Sequence, residues 1–199
     1  MHKMSSGDLA AGTILPASFF NRPTLEVSRN LLGIHLVRIL DGERLSGRIV
    51  ECEAYIGEED LGCHASHGKT ARTAVMYGTP GCAYVYFTYG MHWMLNVVTE
   101  RAGFPAAVLL RAILPVEGVE TMSARRKDRD ILGPAKLTQA MGIDARQNGI
   151  DLCNRASGLW LEAGEHVPDE DIIQGPRVGL FTVPEPWKSM PWRFQVKIR

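Results

Sequence analysis

Apolar and polar positions alternate along much of the chain. Residues 35–40 and 43–55 read as two strands separated by Asp41-Gly42. An Asp-Gly pair between apolar runs suits a tight hairpin turn, so the pattern predicts strand, turn, strand. Residues 82–89, 91–98 and 106–113 read as three more strands. Helical spacing occupies 25–32, with Thr24 as the expected cap and Gly33 as the stop, and then 116–126 and 134–141. Apolar clusters follow at 158–161, 178–181 and 194–198. Strands outnumber helices and short turns join them, which predicts an antiparallel α+β fold over a doubly wound parallel one. Residues 1–12 are small and polar, and are expected to be a disordered tail before one domain over 13–199.

Composition narrows the setting. A chain of 199 residues that is 45% hydrophobic can bury a substantial core as one domain. The 4 cysteines form no CxxC pair, which suggests neither a zinc ribbon nor a redox motif. Residues 1–15 hold charges in place of an apolar leader, and no stretch of about 18 apolar residues occurs. A reduced cytoplasmic location without a membrane span is therefore expected. The formal net charge is zero, which argues against a strongly basic nucleic-acid binder. Locally the balance differs. Residues 66–112 and 188–199 are basic, whereas 151–171 hold six carboxylates against Arg155. The sharper reading of this segregation is a basic face suited to a polyanion, bound weakly and with strong salt dependence. The plainer one is a set of solvated faces.

Candidate chemistry concentrates in two places. On a strand over 48–55, Val50, Cys52 and Ala54 share one face, and Glu51, Glu53 and Tyr55 the other. An acidic loop leads from there to His64 and His67. Residues 84–93 then hold five aromatic rings and His92 within ten positions. Much of this could be sheet core, but Tyr86 and Tyr89 have opposite strand parity, and Gly90 after Tyr89 suggests a bend. A ring at a hairpin tip stays exposed and can act as a wedge between base pairs. Cys63, His64 and His67 offer a competing metal-dependent hydrolase, although Cys-His-x-x-His is not a standard zinc spacing. No phosphate-binding glycine loop and no nucleophile elbow occur.

Several ordered motifs together resemble the alkyladenine (3-methyladenine) DNA glycosylase family. They are GRIVECEAYIG (47–57), the His64 loop, YVYFTYGMHWMLNVV (84–98), VLLRAILPVEG (108–118), GPAKL (133–137) with the QAMGI that follows, and GPRVG (175–179). The resemblance runs from about Leu31 to the C-terminus. It implies a single compact α+β domain with a curved antiparallel β-sheet flanked by helices and no helix-hairpin-helix. It implies a monomer acting on double-stranded DNA that contains damaged purines, with no cofactor and no metal. By position, Glu53 matches the catalytic base and Arg111 the basic residue beside the nucleophilic water. Tyr55, His64 and Tyr86 match rings that sandwich an extruded base. Asn96 matches the residue that crowds the 2-amino group of guanine. Tyr89 matches the side chain that plugs the duplex. Met76, Met91 and Lys136 match DNA-contacting positions. The resemblance further implies base flipping, hydrolysis by water and, without a catalytic lysine, no strand cleavage. GPAKL carries Ala where the family commonly has Gly or Ser, so a contact needing positive φ at Ala135 is put in question. A catalytically dead, damage-binding relative is the neighbouring alternative.

Overall fold

The structure is a computed structural model that describes residues 9–127 and 129–197. Eight strands form one open sheet: β1 His35–Leu40, β2 Glu43–Ile56, β3 Ala83–Thr88, β4 His92–Val98, β5 Ala106–Glu117, β6 Leu159–Glu162, β7 Ile172–Gly175 and β8 Arg193–Val196. The main path runs β3-β4-β5-β2-β1-β6, and β8 joins the sheet by pairing with both β2 and β7. Every pairing is antiparallel, as expected of an α+β fold linked by short turns. The helices are α1 Ala17–Phe20, α2 Thr24–Leu31, α3 Val119–Arg125 and α4 Pro134–Met141. Among the described residues, no helix is long and apolar enough to cross a membrane.

The β1–β2 hairpin turns through Asp41 at φ 52 and Gly42 at φ 85, the two left-handed positions that Asp-Gly tolerates. Two helix boundaries differ from expectation. Thr24 is the first helical residue and not the cap. The cap comes from across the fold, because the Glu100 carboxylate accepts the Thr24 N–H at 2.7 Å and its hydroxyl at 3.1 Å. The helix expected from 116 starts at Val119, since β5 continues to Glu117. Glu117 stays in the sheet by pairing with Ser46, whose hydroxyl, with Arg44, binds its carboxylate. The clusters at 158–161 and 194–198 supply β6 and β8, with Ile198 outside the described residues, whereas 178–181 is a loop. Strand β7 and helix α1 were not expected. Of the N-terminal segment 1–12, residues 1–8 lie outside the described residues, and Gly12 donates its N–H to Ala163 O at 2.8 Å.

One sheet face packs on the helices. Its core joins Val27 and Leu31 of α2 and Leu137 and Met141 of α4 to Leu45, Ile49, Cys52, Val108, Leu110 and Ile113. The parity of these strand residues switches, from Leu45 and Ile49 to Cys52 on β2, and from Val108 and Leu110 to Ile113 on β5. Paired bulges cause it. Ile49 pairs with Ile113 and Glu51 with Ala112, leaving Val50 extra; Glu51 with Ala112 and Cys52 with Leu110 leave Arg111 extra. A bulge re-aims side chains without ending the ladder. Both strands thus keep an apolar face on the core, and Glu51, Glu53 and Arg111 meet on the other. That second face is covered by a smaller cluster, which includes Cys63, Ala65, Met76, Tyr84 and Val98.

Candidate active site

A cavity of about 290 Å³ opens on this second face. Tyr55 enters from β2, His64 and Met76 from the loops before β3, and Tyr84 and Tyr86 from β3. Asn96 comes from β4, Leu109 and Arg111 from β5, and Val178, Gly179 and Leu180 from the loop before β8. Alternation explains the strand contributions: Ala83 and Val85 sit in the main core while Tyr84 and Tyr86 face the cavity. His64 and Tyr86 meet edge to face, with ring centroids 4.5 Å apart.

Glu53 lies directly behind the cavity wall and is 0% exposed. All three of its partners line the cavity. Tyr55 donates its hydroxyl to Oε2 at 2.9 Å, Val178 donates its backbone N–H to Oε1 at 2.7 Å, and Arg111 Nη1 lies 3.3 Å from Oε1. Burial pushes the Glu53 carboxyl above its ordinary 4.5; Arg111, the Val178 N–H and the Tyr55 hydroxyl only partly offset this. Burial tends to lower the Arg111 pKa, but Glu53 and Glu51 raise it overall. Arg111 also donates Nε to Glu51 at 2.8 Å, so two carboxylates hold one guanidinium. Glu51 shares the predicted face with Glu53, and its pairing with Arg111 is a role that alternation alone did not assign.

Tyr89 and Gly90 turn the β3–β4 hairpin with φ of 51 and 67. A bulky residue in the left-handed region costs about 1–3 kcal/mol, and such strain gathers at functional tips. The turn resolves the parity conflict: Tyr89 leaves the strand, lines the cavity edge and is 84% exposed. Met91 beside it is 66% exposed, whereas Met76 is buried in the cavity wall. Asn96 is buried and donates Nδ2 to Tyr84 O at 3.0 Å, which fixes its amide at the wall. Lys136 is paired with Asp130 at 2.7 Å outside the cavity. The question raised by GPAKL falls away: Ala135 lies in the first turn of α4, and the positive φ belongs to Gly133, at 127.

Cys63, His64 and His67 are drawn to separate partners. The Cys63 sulfur accepts Ala65 N–H, His64 Nδ1 bonds Tyr84, and His67 Nδ1 bonds Ser66. Among the described residues, no group of three or more His, Cys, Asp or Glu side chains converges as a metal site would. The charge segregation counted along the sequence also softens in space. Glu162, Glu165 and Asp169 of the acidic stretch pair with Arg44, Arg48 and Arg29. Arg111 and Arg193 from the basic stretches both turn toward Glu51. Lys69, Arg72 and Arg101 remain on the surface.

Arg177, inside GPRVG, is a residue to which the sequence pattern assigns no role. It is fully buried, forms a two-pronged ion pair with Asp60 and stacks 4.7 Å from the Tyr55 ring centroid. It therefore anchors the loop that presents the Val178 N–H to Glu53. No local sequence signal joins residues this far apart; the cue was an arginine inside an apolar, glycine-flanked motif.

Residues 18–199 match the family model for methylpurine-DNA glycosylase (MPG). A protein of Methanocella arvoryzae is 52% identical over 190 residues, covering 92% of each chain. One of Carboxydothermus hydrogenoformans is 46% identical, covering 92% of this chain and 95% of its own. One of Myxococcus xanthus is 47% identical, covering 92% and 90%. All three carry the name "Putative 3-methyladenine DNA glycosylase". With its sheet, its aromatic cavity and this match over nearly the whole length, the chain belongs to the methylpurine-DNA glycosylase family.

Proposed function

We propose that this DNA glycosylase removes alkylated and deaminated purines from duplex DNA, of the 3-methyladenine, 7-methylguanine, hypoxanthine and ethenoadenine class. The observation that carries the reading is a buried carboxylate held behind an aromatic-walled cavity whose edge bears an exposed tyrosine.

A base inside a duplex is out of reach and must rotate out, at a cost of a few kcal/mol that is least for a damaged or mispaired base. Tyr89 fills the gap it leaves. The extruded purine stacks among Tyr55, His64 and Tyr86, worth ~1–3 kcal/mol per base. An electron-poor, positively charged purine stacks best on such faces. The glycosidic bond then breaks through a cation-like sugar. Glu53 takes the proton of the attacking water and its charge stabilises that cation. Two donors occupy Glu53, which leaves acceptor capacity for water beside Arg111. No lysine lines the cavity among the described residues, which supports the reading in which water is the nucleophile and an abasic site the product. Lys136 and Met91 contact the DNA, Lys136 exchanging Asp130 for phosphate; Met76, buried in the cavity wall, acts from there.

The test is a set of duplexes, each with one lesion, scored for breaks before and after alkali. Alkali-dependent breaks at the lesion are expected. Breaks before alkali would overturn hydrolysis by water alone, and intact DNA throughout would overturn the activity.

On this reading Asn96, fixed by its bond to Tyr84 O, crowds the 2-amino group of guanine. Asn96→Ser removes both the bulk and the tether to Tyr84 O. Excision of guanine from a mispair is expected to rise about tenfold, the scale of a small change in pocket shape. Unchanged guanine discrimination in a single-turnover assay would reassign Asn96 to packing.

A further inference from the structure

Arg72 stands just outside the cavity. It is exposed, it lines an outer groove with Tyr86, and it is not among the cavity-lining residues. Its guanidinium carbon lies 5.0 Å from the Tyr86 ring centroid. Its Nη2 lies 3.4 Å from His64 Nε2, in hydrogen-bond geometry. On the other side of the imidazole, Nδ1 lies 3.0 Å from the Tyr84 hydroxyl.

These contacts fix protons. A guanidinium has five N–H donors and no acceptor. The nitrogen facing it must therefore offer a lone pair, so Nε2 carries no hydrogen. The imidazole proton then sits on Nδ1 and is donated to the Tyr84 hydroxyl. Doubly protonated His64 would set N–H against N–H at Nε2. We propose that Arg72 is a positioning residue that holds His64 as the neutral Nδ1–H imidazole, so that a cationic purine meets an uncharged imidazole on that side of the cavity. The selectivity half of this proposal rests on the glycosylase reading above; the tautomer half does not.

The surroundings agree. Arg72 and His67 face the ring from its own segment, and Tyr84 and Tyr86 from β3. Asp60, behind Cys63, is neutralised by Arg177. Burial first, then the charges of Arg72 and His67, push His64 down from 6.5 to about 4. The ring is thus uncharged throughout the neutral range. Without Arg72, one of the causes lowering it is gone and nothing requires a bare Nε2. The lesions of interest divide by charge: 7-methylguanine in DNA is a cation and hypoxanthine is neutral. A charged His64 would repel the first and spare the second.

The experiment labels the full chain with ¹⁵N-histidine and compares parent, Arg72→Gln and Arg72→Lys by long-range ¹H–¹⁵N imidazole spectra against pH. The side chain is exposed, so the variants are expected to fold, and their spectra report that directly. The parent should show the Nδ1–H tautomer and no His64 titration down to about pH 5. Arg72→Gln, which can accept as well as donate, should show mixed tautomers and a His64 titration moved upward from the parent's but still below 6.5, because burial, the larger cause, remains. Arg72→Lys keeps a donor-only group and should restore the parent tautomer. In parallel, single-turnover excision of 7-methylguanine relative to hypoxanthine is measured at about pH 5.5 and 7.5. In Arg72→Gln the ratio should fall about twofold more on acidification than in the parent, the effect of a partly charged His64. A parent His64 with its proton on Nε2, or one that Arg72→Gln leaves unaltered, overturns the proposal. Altered His64 protonation with an unchanged lesion ratio overturns the selectivity half. A parent that excises neither lesion fails the glycosylase reading, and the imidazole spectra still decide the tautomer.

Discussion

Glu53→Gln is expected to lower single-turnover excision of hypoxanthine from duplex DNA by about 10²–10⁴-fold, the usual contribution of a general base. The substitution keeps the volume and leaves an oxygen for the Val178 N–H, which now binds Oε1 at 2.7 Å. It removes the capacity to take a proton and the charge beneath a cation-like sugar. Binding of hypoxanthine DNA should stay within a few-fold of the parent, because Glu53 lies behind the wall and the rings in front of it do the stacking. The variant should also be at least as stable as the parent at neutral pH. Burial holds the folded-state pKa of Glu53 above 4.5, so the ionised form is the disfavoured one. The cost is absent below pH 4.5, grows as pH rises toward the raised value and is complete above it. Urea midpoints of the two chains should therefore converge on acidification and separate in favour of Gln toward neutrality. Parent-like excision by the variant would remove Glu53 from the catalytic role. A stability loss that grows toward neutral pH would instead show that the ionised carboxylate is well satisfied.

The two halves of this site differ in how visible they are along the chain. Period-2 alternation places Glu51, Glu53 and Tyr55 on one face, and the Asp41-Gly42 turn sets the β1–β2 register, because both are properties of neighbouring residues. Tyr89 before Gly90 likewise marks a hairpin tip. The paired bulges at Val50 and Arg111 left no local mark. They exist because two long strands must each turn apolar residues to the core above and below the site, a demand that arises only once β2 and β5 are paired. The Glu100 cap on α2 is a contact across 76 positions and the Val178 N–H on Glu53 one across 125. Local propensity carries no information on such pairs. The resemblance proposes roles for Glu53 and Arg111, and the geometry gathers Glu51, Val178 and Arg177 around them.

The largest stability effect is expected at Arg177. Its guanidinium donates to both Asp60 oxygens, at 2.5 and 2.8 Å, to Ala54 O at 3.1 Å and to Trp187 O at 3.2 Å. It also lies between Tyr55 and Trp192, 4.7 and 4.9 Å from their ring centroids. Asp60 in turn accepts N–H groups of Ile56 and Gly62. Both ions are fully buried, so neither can be released to water when its partner is lost. Arg177→Met leaves a stranded carboxylate and should cost about 3–5 kcal/mol, read as a lower urea midpoint. Arg177→Lys should recover little, since an ammonium cannot bridge two oxygens and two carbonyls from one plane. The double change Asp60→Asn with Arg177→Met removes both charges and should be more stable than Arg177→Met alone, because the pair itself carries a large desolvation cost. Excision should fall as well, for a reason separate from folding: Arg177 precedes the residue whose N–H binds Glu53. Measured well below each variant's own unfolding midpoint, the double variant should therefore excise more slowly than the parent despite its recovered stability. Parent-like excision at that temperature would make the buried pair a folding element only. A loss under about 1 kcal/mol in Arg177→Met would show that Asp60 finds other partners when its arginine is gone.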